Sequence, residues 1–251
     1  MKPREGKVLL VGAGPGAADL LTIRALRAIE AADIVLYDSL VGEEIRDLIP
    51  AHVRRVEVGK RGHRPSTPQD FINRLMARYA KRGLCVVRLK GGDPSIFGRA
   101  AEERLYLEAQ GVIVETVAGV TTASAAAAQF GLSLTERGLA RRVLFATGRT
   151  LAGAEADWTT ACDPETTLCL YMGCADSASI AARLIAEGRD PHTPVLIISN
   201  VERPGAEASP ISLARLAREK WDGRGAPTLI VIGEVARQAA SQDIAPALMR
   251  R

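Results

Sequence analysis

Leu84-Cys85-Val86-Val87-Arg88-Leu89-Lys90-Gly91-Gly92-Asp93-Pro94 reads as a hydrophobic strand over 84–89 that runs into a glycine turn. A second turn of this kind, Gly12-Ala13-Gly14-Pro15-Gly16, closes an earlier apolar strand over 7–11. One glycine loop is weak evidence for anything. Two of them, each closing a Val/Leu-rich strand, let two backbone segments approach one ligand with no Cβ in the way. The pair points to a nucleotide-like small molecule.

Working outward, strands are expected at 7–11, 34–37, 53–58, 84–89 and 112–117, with helices at 20–32, 43–49, 68–82 and 100–110 between them. Apolar β-runs alternating with helices imply a mostly parallel sheet covered on both faces, an α/β fold. The helix at 68 has a clear start signal, with Thr67 as N-cap, Pro68 at N1 and Asp70 at N3. The alanine-rich stretch 122–130 predicts a helix slim enough to pack closely on neighbouring backbone. At 131–141 the pattern breaks into a polar connection. The expected division is an N-terminal α/β domain over 1–136 and a C-terminal α/β domain over 137–251. In the second half, strands are expected at 142–147, 167–171, 195–199 and 228–232, and helices at 176–187 and 213–220, with Gly188 capping the first of these. The stretch 150–165 is weakly patterned.

The 251 residues allow one large or two medium domains, and 47% hydrophobic with 25% charged residues fits an ordinary globular chain. Aromatics are only 4%, which argues against the stacking platforms of single-stranded nucleic-acid binding. A net charge of +4, spread without lysine-rich tracts, suits an acidic small substrate and no nucleic acid. Cys85, Cys162, Cys169 and Cys174 lack C-x-x-C pairing, and His52, His63 and His192 lack ligand spacing. No metal site is expected, and reduced buried thiols are. No apolar run approaches the ~18 residues of a membrane helix, and no secretory signal opens the chain, so a cytoplasmic protein is expected.

Gly12-Ala13-Gly14-Pro15-Gly16 first suggests a Rossmann loop, and Asp38, ending the second strand, sits where the ribose-binding acid belongs. The spacing is G-x-G-x-G, however, and Pro15 removes an N–H from the turn that would cradle pyrophosphate. A nicotinamide enzyme is disfavoured. Asp93 alone would be an ordinary turn residue before proline. Beside two glycines its carboxylate also suits an amine or a ribose hydroxyl. A sulfonium donor such as S-adenosylmethionine carries a cationic sulfur and an ammonium, which a carboxylate and carbonyl-lined pocket would match. Arg99 and Glu102, three apart on one helix, read as a surface ion pair or as substrate contacts just beyond the ligand loop. Thr121 and Thr122 open the alanine-rich helix as a cap or as polar ligand contacts.

Together these pieces resemble the tetrapyrrole methylase family, over about residues 7–238. The resemblance is carried by Val11–Gly16 of the first loop (11–16), Tyr37-Asp38, Val58-Gly59-Lys60-Arg61, Arg88-Leu89-Lys90-Gly91-Gly92-Asp93-Pro94, Phe97-Gly98-Arg99, Glu102-Glu103, Leu132-Ser133-Leu134-Thr135, Tyr171-Met172-Gly173 and Ala226-Pro227-Thr228. The Arg88–Pro94 run (88–94) and Tyr171-Met172-Gly173 mark the branch that C-methylates uroporphyrinogen III. Six departures are visible: Ala100-Ala101 for a glycine-rich pair, Ala118 for a proline, Glu136-Arg137-Gly138 for His-Arg-Asp, Arg149 for a histidine, Ser39 for an arginine, and Val201 for a glycine.

The resemblance implies two α/β domains of the class III methyltransferase type, with the active site in the cleft between them, in a homodimer. It implies S-adenosylmethionine as donor, left as S-adenosylhomocysteine, held by Pro15, Gly91, Gly92, Asp93, Ile96, Thr121, Thr122, Met172, Val201 and Thr228. It places an acid/base pair at Asp38 and Lys60, and Arg99, Glu102 and Arg137 facing the tetrapyrrole. Two methyl transfers would give precorrin-2, a precursor of sirohaem and cobalamin. The base that removes the ring proton stays open between Glu102, Asp38 and an arginine. A methylase of a later precorrin and a non-catalytic tetrapyrrole-binding relative remain as alternatives.

Overall fold

The structure, a computed structural model, describes residues 5–59, 67–148 and 157–240. The chain divides into two compact units, Met1–Thr121 and Thr122–Arg251, each built on its own five-stranded sheet.

The first unit contains β1 (Lys7–Gly12), α1 (Ile23–Glu30), β2 (Ile34–Tyr37), α2 (Glu43–Asp47), β3 (Arg54–Glu57), α3 (Gln69–Ala80), β4 (Cys85–Lys90), α4 (Ala100–Ala109) and β5 (Ile113–Val117). Its strand order is β3-β2-β4-β1-β5, and every pairing is parallel. The two-residue period of a strand sends alternate side chains to opposite faces. Leu9, Val11, Val35, Val87 and Leu89 pack with Ala25, Ala28 and Ile29 of α1. Val8, Leu10, Ile34, Leu36 and Val86 pack with Ile72 and Met76 of α3 and Leu107 of α4. The chain therefore leaves β1 over one face and β4 over the other. These two strands are neighbours, so the sheet has its topological switch point at their carboxyl ends, where open α/β sheets bind ligands.

Several boundaries differ from expectation by a few residues, two of them for a visible local reason. Helix α1 begins at Ile23 because Thr22 caps it, its Oγ1 accepting the Ala25 N–H at 3.1 Å, and residues 18–20 form a single 3-10 turn instead. Pro68 is the residue before α3 rather than its first turn. Its ψ of 137° is extended, and its carbonyl accepts the Phe71 and Ile72 amides.

The second unit contains α5 (Thr122–Gln129), β6 (Arg142–Thr147), α6 (Thr159–Cys162), β7 (Thr166–Tyr171), α7 (Ser177–Ala186), β8 (Pro194–Ser199), β9 (Glu207–Ser212), α8 (Leu213–Arg218), β10 (Thr228–Ile232) and α9 (Ala236–Ala240). Its order is β6-β7-β10-β8-β9. Only β6 and β7 are parallel; β10 runs against both its neighbours and β9 against β8. The parallel sheet expected of the first half is found there, and the second sheet is mixed. Strand β9 escapes a sequence reading because Glu207-Ala208-Ser209-Pro210-Ile211-Ser212 has no apolar run. It is an edge strand, where Pro210 is tolerated. Ile180, Ala181 and Leu184 of α7 and Leu213 and Leu216 of α8 close over Leu168, Leu170, Val195, Ile197, Ile230 and Ile232.

The division falls at 121/122 rather than at 136/137. Helix α5 goes with the second unit because the Ala123 N–H donates to the Tyr171 hydroxyl at 3.1 Å, and Gln129 Oε1 accepts the Glu202 N–H at 2.9 Å. Among the described residues no helix is long and apolar enough to cross a membrane.

Candidate active site

At the switch point of the first sheet the two glycine loops meet each other. The Gly14 N–H donates to the Gly92 carbonyl at 3.1 Å and the Gly92 N–H to the Gly14 carbonyl at 2.6 Å. Both residues have positive φ, +73° and +69°. The loop after β5 joins them: a Cβ on Gly12 would lie 2.6 Å from the Gly119 Cα and 2.8 Å from the Gly92 carbonyl oxygen. Asp93 fastens the stack, with Oδ1 accepting the Ser95 N–H at 2.7 Å and Oδ2 the Gly119 N–H at 2.9 Å. The glycines are thus required first for three loops to touch one another, and the Asp93 carboxylate is committed to two backbone amides. Of the expected donor residues at this edge, Gly91, Gly92 and Ile96 are half-buried and Pro15 is buried.

Asp38 follows β2 at the same edge. Its Oδ1 accepts the Leu40 N–H at 3.0 Å, and its Oδ2 lies 3.4 Å from Arg88 Nη2. Lys60, its expected partner, and Arg61 lie outside the described residues. Arg99 stands immediately before α4 with φ +58° and forks onto Glu102, Nε to Oε1 at 3.0 Å and Nη2 to Oε2 at 2.6 Å. The hydrogen bond from Arg99 holds the Glu102 carboxyl below the usual carboxylate range. A cavity of about 450 Å³ lies against this loop, and its lining adds Arg104 to Phe97 and Arg99.

Sequence reasoning missed the charges beneath this edge. All six residues of β4 are buried, Arg88 and Lys90 included. Glu103, 0% exposed, accepts Lys90 Nζ at 2.8 Å on Oε2, and Arg88 Nε at 3.3 Å and Gln69 Nε2 at 3.0 Å on Oε1. Burial, and then Arg88 beside it, lowers the Lys90 amine from its ordinary value, with Glu103 pulling the other way. The available signal was the alternation itself: Val86, Arg88 and Lys90 share one strand face, so two cations had to enter the core on the side of α4.

In the second unit the expected donor residues gather at one edge of the sheet. Met172 follows β7, Thr228 opens the antiparallel β10 beside it, and Val201 follows β8, since Leu229 pairs with Tyr171 and Thr228 with Ser199. Thr122 opens α5, which Tyr171 anchors at this edge. The Thr228 hydroxyl donates to the Ala226 carbonyl at 3.0 Å and lies 3.2 Å from Ser199 Oγ. Val201 is buried at 3% and is not itself in a left-handed conformation; its neighbours Asn200 and Glu202 are, with φ of 54° and 56°. The turn therefore accepts a β-branched residue at a position where the resemblance implied a glycine. Thr121 ends the first unit. Arg137 stands exposed on the tight turn 136–140, from which the chain enters β6 at the end remote from Thr147.

Among the described residues, the non-glycine residues with positive φ are Phe97, Arg99, Met172, Asn200 and Glu202. Each costs roughly 1–3 kcal/mol of local strain. All five fall on or beside the expected binding turns, and none lies in a core strand.

The donor set fits S-adenosylmethionine in chemistry. The first unit offers main-chain groups at the glycine turns and, beside them, the Asp38 carboxylate, which suit a cationic sulfur, an ammonium and ribose hydroxyls, while Asp93 serves to hold the turns together. No group of His, Cys, Asp and Glu among the described residues is placed to hold a metal ion.

Comparison with known proteins gives the family of the chain. The profile of the family described as Tetrapyrrole (Corrin/Porphyrin) Methylases matches residues 7–216. The chain is 46% identical over 242 residues to the uroporphyrinogen-III C-methyltransferase of Pseudomonas aeruginosa, covering 95% of this chain and 98% of that one. It is 45% identical over 234 residues to the siroheme synthase of Azotobacter vinelandii, covering 92% of this chain and 50% of that longer protein. Among solved structures, the uroporphyrin-III C-methyl transferase of Thermus thermophilus complexed with S-adenyl homocysteine superposes with a TM-score of 0.81 at 40% identity, over 93% of this chain and 100% of that one.

Proposed function

The chain belongs to the tetrapyrrole methylases, and from that premise we propose that it C-methylates uroporphyrinogen III with S-adenosylmethionine as donor, twice, to give precorrin-2. The observation that carries this reading is the distribution of backbone strain. Five left-handed non-glycine residues fall on or beside the turns proposed to hold donor and substrate, as strain retained for function does.

When bound, S-adenosylmethionine supplies an electrophilic methyl group on a cationic sulfur. The chain's own share is to hold and orient. Pro15, Gly91, Gly92, Asp93, Ile96 and Thr121 of the first unit, and Thr122, Met172, Val201 and Thr228 of the second, are the proposed donor contacts. Orientation of two reactants is worth several kcal/mol, about 7–11 in favourable cases. Arg99 and Arg137, with Lys60, are proposed to take the carboxylates of the substrate, for which a guanidinium fork is well shaped. Asp38 and Glu102 are the proposed proton acceptors. The hydrogen bond from Arg99 holds the Glu102 carboxyl below the usual carboxylate range, which weakens it as a base, and Asp38 is partly exposed, at 24%. A homodimer completes the proposal.

The test is turnover of labelled donor with uroporphyrinogen III. Label appearing in precorrin-2 supports the reading. Binding of S-adenosylhomocysteine without transfer would favour a binding protein, and transfer only to an already methylated precorrin would favour a later step.

A further inference from the structure

Arg88, Lys90 and Glu103 are 4%, 5% and 0% exposed, and the reading above gives them nothing to do. Burying such charges costs desolvation that a matched apolar trio would avoid, so packing alone is a poor reason for them. Their connections run in one direction. Lys90 Nζ donates to Glu103 Oε2, Arg88 Nε to Glu103 Oε1, and Arg88 Nη2 to Asp38 Oδ2. Two cations and two carboxylates alternate along this line, which starts in the core and ends on the carboxylate at the functional edge.

We propose that Arg88 is a positioning residue for Asp38, held in place by Glu103 and Lys90. The guanidinium is fixed by three acceptors on different segments: Glu103 on α4, the Leu89 carbonyl on β4 at 3.1 Å, and Asp38 after β2. A planar fork pinned on two sides has little freedom left on the third. Asp38 is then held at both oxygens, by Arg88 on Oδ2 and by the Leu40 N–H on Oδ1. Gln69 of α3 donates to the same Glu103 oxygen as Arg88 and also to Asn73, so α3 fixes the hub from a further side. Because Glu103 sits one residue after Glu102, the carboxylate of Asp38 is registered against the helix turn that carries Arg99 and Glu102.

This inference rests on the reading of Asp38 as a group that handles substrate protons. The experiment compares wild type, Arg88→Met, Arg88→Lys, Asp38→Asn and the Arg88→Met/Asp38→Asn double variant. It reads kcat with uroporphyrinogen III and affinity for S-adenosylhomocysteine by calorimetry. Arg88→Met is expected to lower kcat by about tenfold or more, the scale on which a misplaced acid/base group is felt. Affinity for S-adenosylhomocysteine stays within about twofold, and Arg88→Lys recovers part of the rate. In the Asp38→Asn background, Arg88→Met adds less than about twofold, because the residue it positions is gone. Equal factors in both backgrounds would overturn the role of Arg88, as would a parallel loss of rate and S-adenosylhomocysteine affinity. A wild-type kcat for Asp38→Asn would instead overturn the reading of Asp38 itself.

Discussion

Glu102 and Glu103 are consecutive on the first turns of α4 and occupy opposite environments. The Glu102 side chain is 55% exposed and forked onto Arg99. The Glu103 side chain is fully buried between Arg88, Lys90 and Gln69. Successive helical residues are turned by about 100°, enough to send one carboxylate to solvent and the next into the sheet.

Glu103→Ala strands two buried cations and is expected to destabilise the fold by about 3–5 kcal/mol, the usual cost of removing one partner of a buried pair. Glu102→Ala removes an exposed pair and costs under about 1 kcal/mol. Urea unfolding of the two variants should separate them clearly, and equal midpoints would contradict the placement of Glu103.

Arg99→Ala is expected to abolish turnover while affinity for S-adenosylhomocysteine stays nearly intact. Arg99→Gly removes the same charge but suits the left-handed backbone at φ +58°. It should be as inactive as Arg99→Ala and more stable. Loss of S-adenosylhomocysteine affinity in Arg99→Gly would show that Arg99 serves the donor.

Gly119→Ala places a Cβ into the Gly92 carbonyl oxygen and 2.8 Å from the Gly12 Cα. Three backbone segments have to part to admit it, so both melting temperature and S-adenosylhomocysteine affinity should fall. Gly111→Ala has a positive φ of 71° but open space around its Cβ, and should cost only about 1–2 kcal/mol with binding retained. Calorimetry on both variants distinguishes stacked loops from a merely strained backbone.

Cys169, fully buried on β7, has its thiol pushed up to about 12 from an ordinary 9.0 by burial. In the unfolded chain that thiol ionises first as the pH rises past 9.0, so the folded state then holds a proton that the unfolded state has lost. Stability falls with pH over the interval from 9.0 to about 12. Cys169→Val should flatten this loss in urea midpoints taken at alkaline pH, and native protein at neutral pH should leave Cys169 unalkylated by iodoacetamide.

The first sheet was legible because its strands are continuous apolar runs separated by helices with ordinary start signals, and the two glycine turns fell at its switch point as spacing suggested. The second sheet was less so. Strand β9 carries Ser209 and Pro210 where a pattern search needs Val or Ile, and pairing with β8 alone makes it a strand. Asp38, Gly91, Gly92 and Asp93 were singled out from their place after strands, and the structure puts them after β2 and β4 at one edge of the first sheet. The left-handed turn around Val201 was not, because a substitution for glycine says nothing of whether its neighbours take the positive φ. Arg88, Lys90 and Glu103 were read past for a different reason. They were used only as residues that carry the resemblance, and the expectation of a sheet covered on both faces was not followed to its consequence that charges on a central strand enter the core.

The pairing of β1 has a consequence for biogenesis. Lys7 aligns with Cys85 on one side and with Ile113 on the other. Of the strands in this sheet β1 is synthesised first, and it waits for both its neighbours until most of the first unit has been made. Such long-range parallel pairing closes slowly, and until then an apolar ribbon with two open edges is exposed to any other nascent chain. A fragment ending before β4 should accumulate as insoluble material, and the chain's safest passage through synthesis is one in which residues beyond 113 arrive quickly.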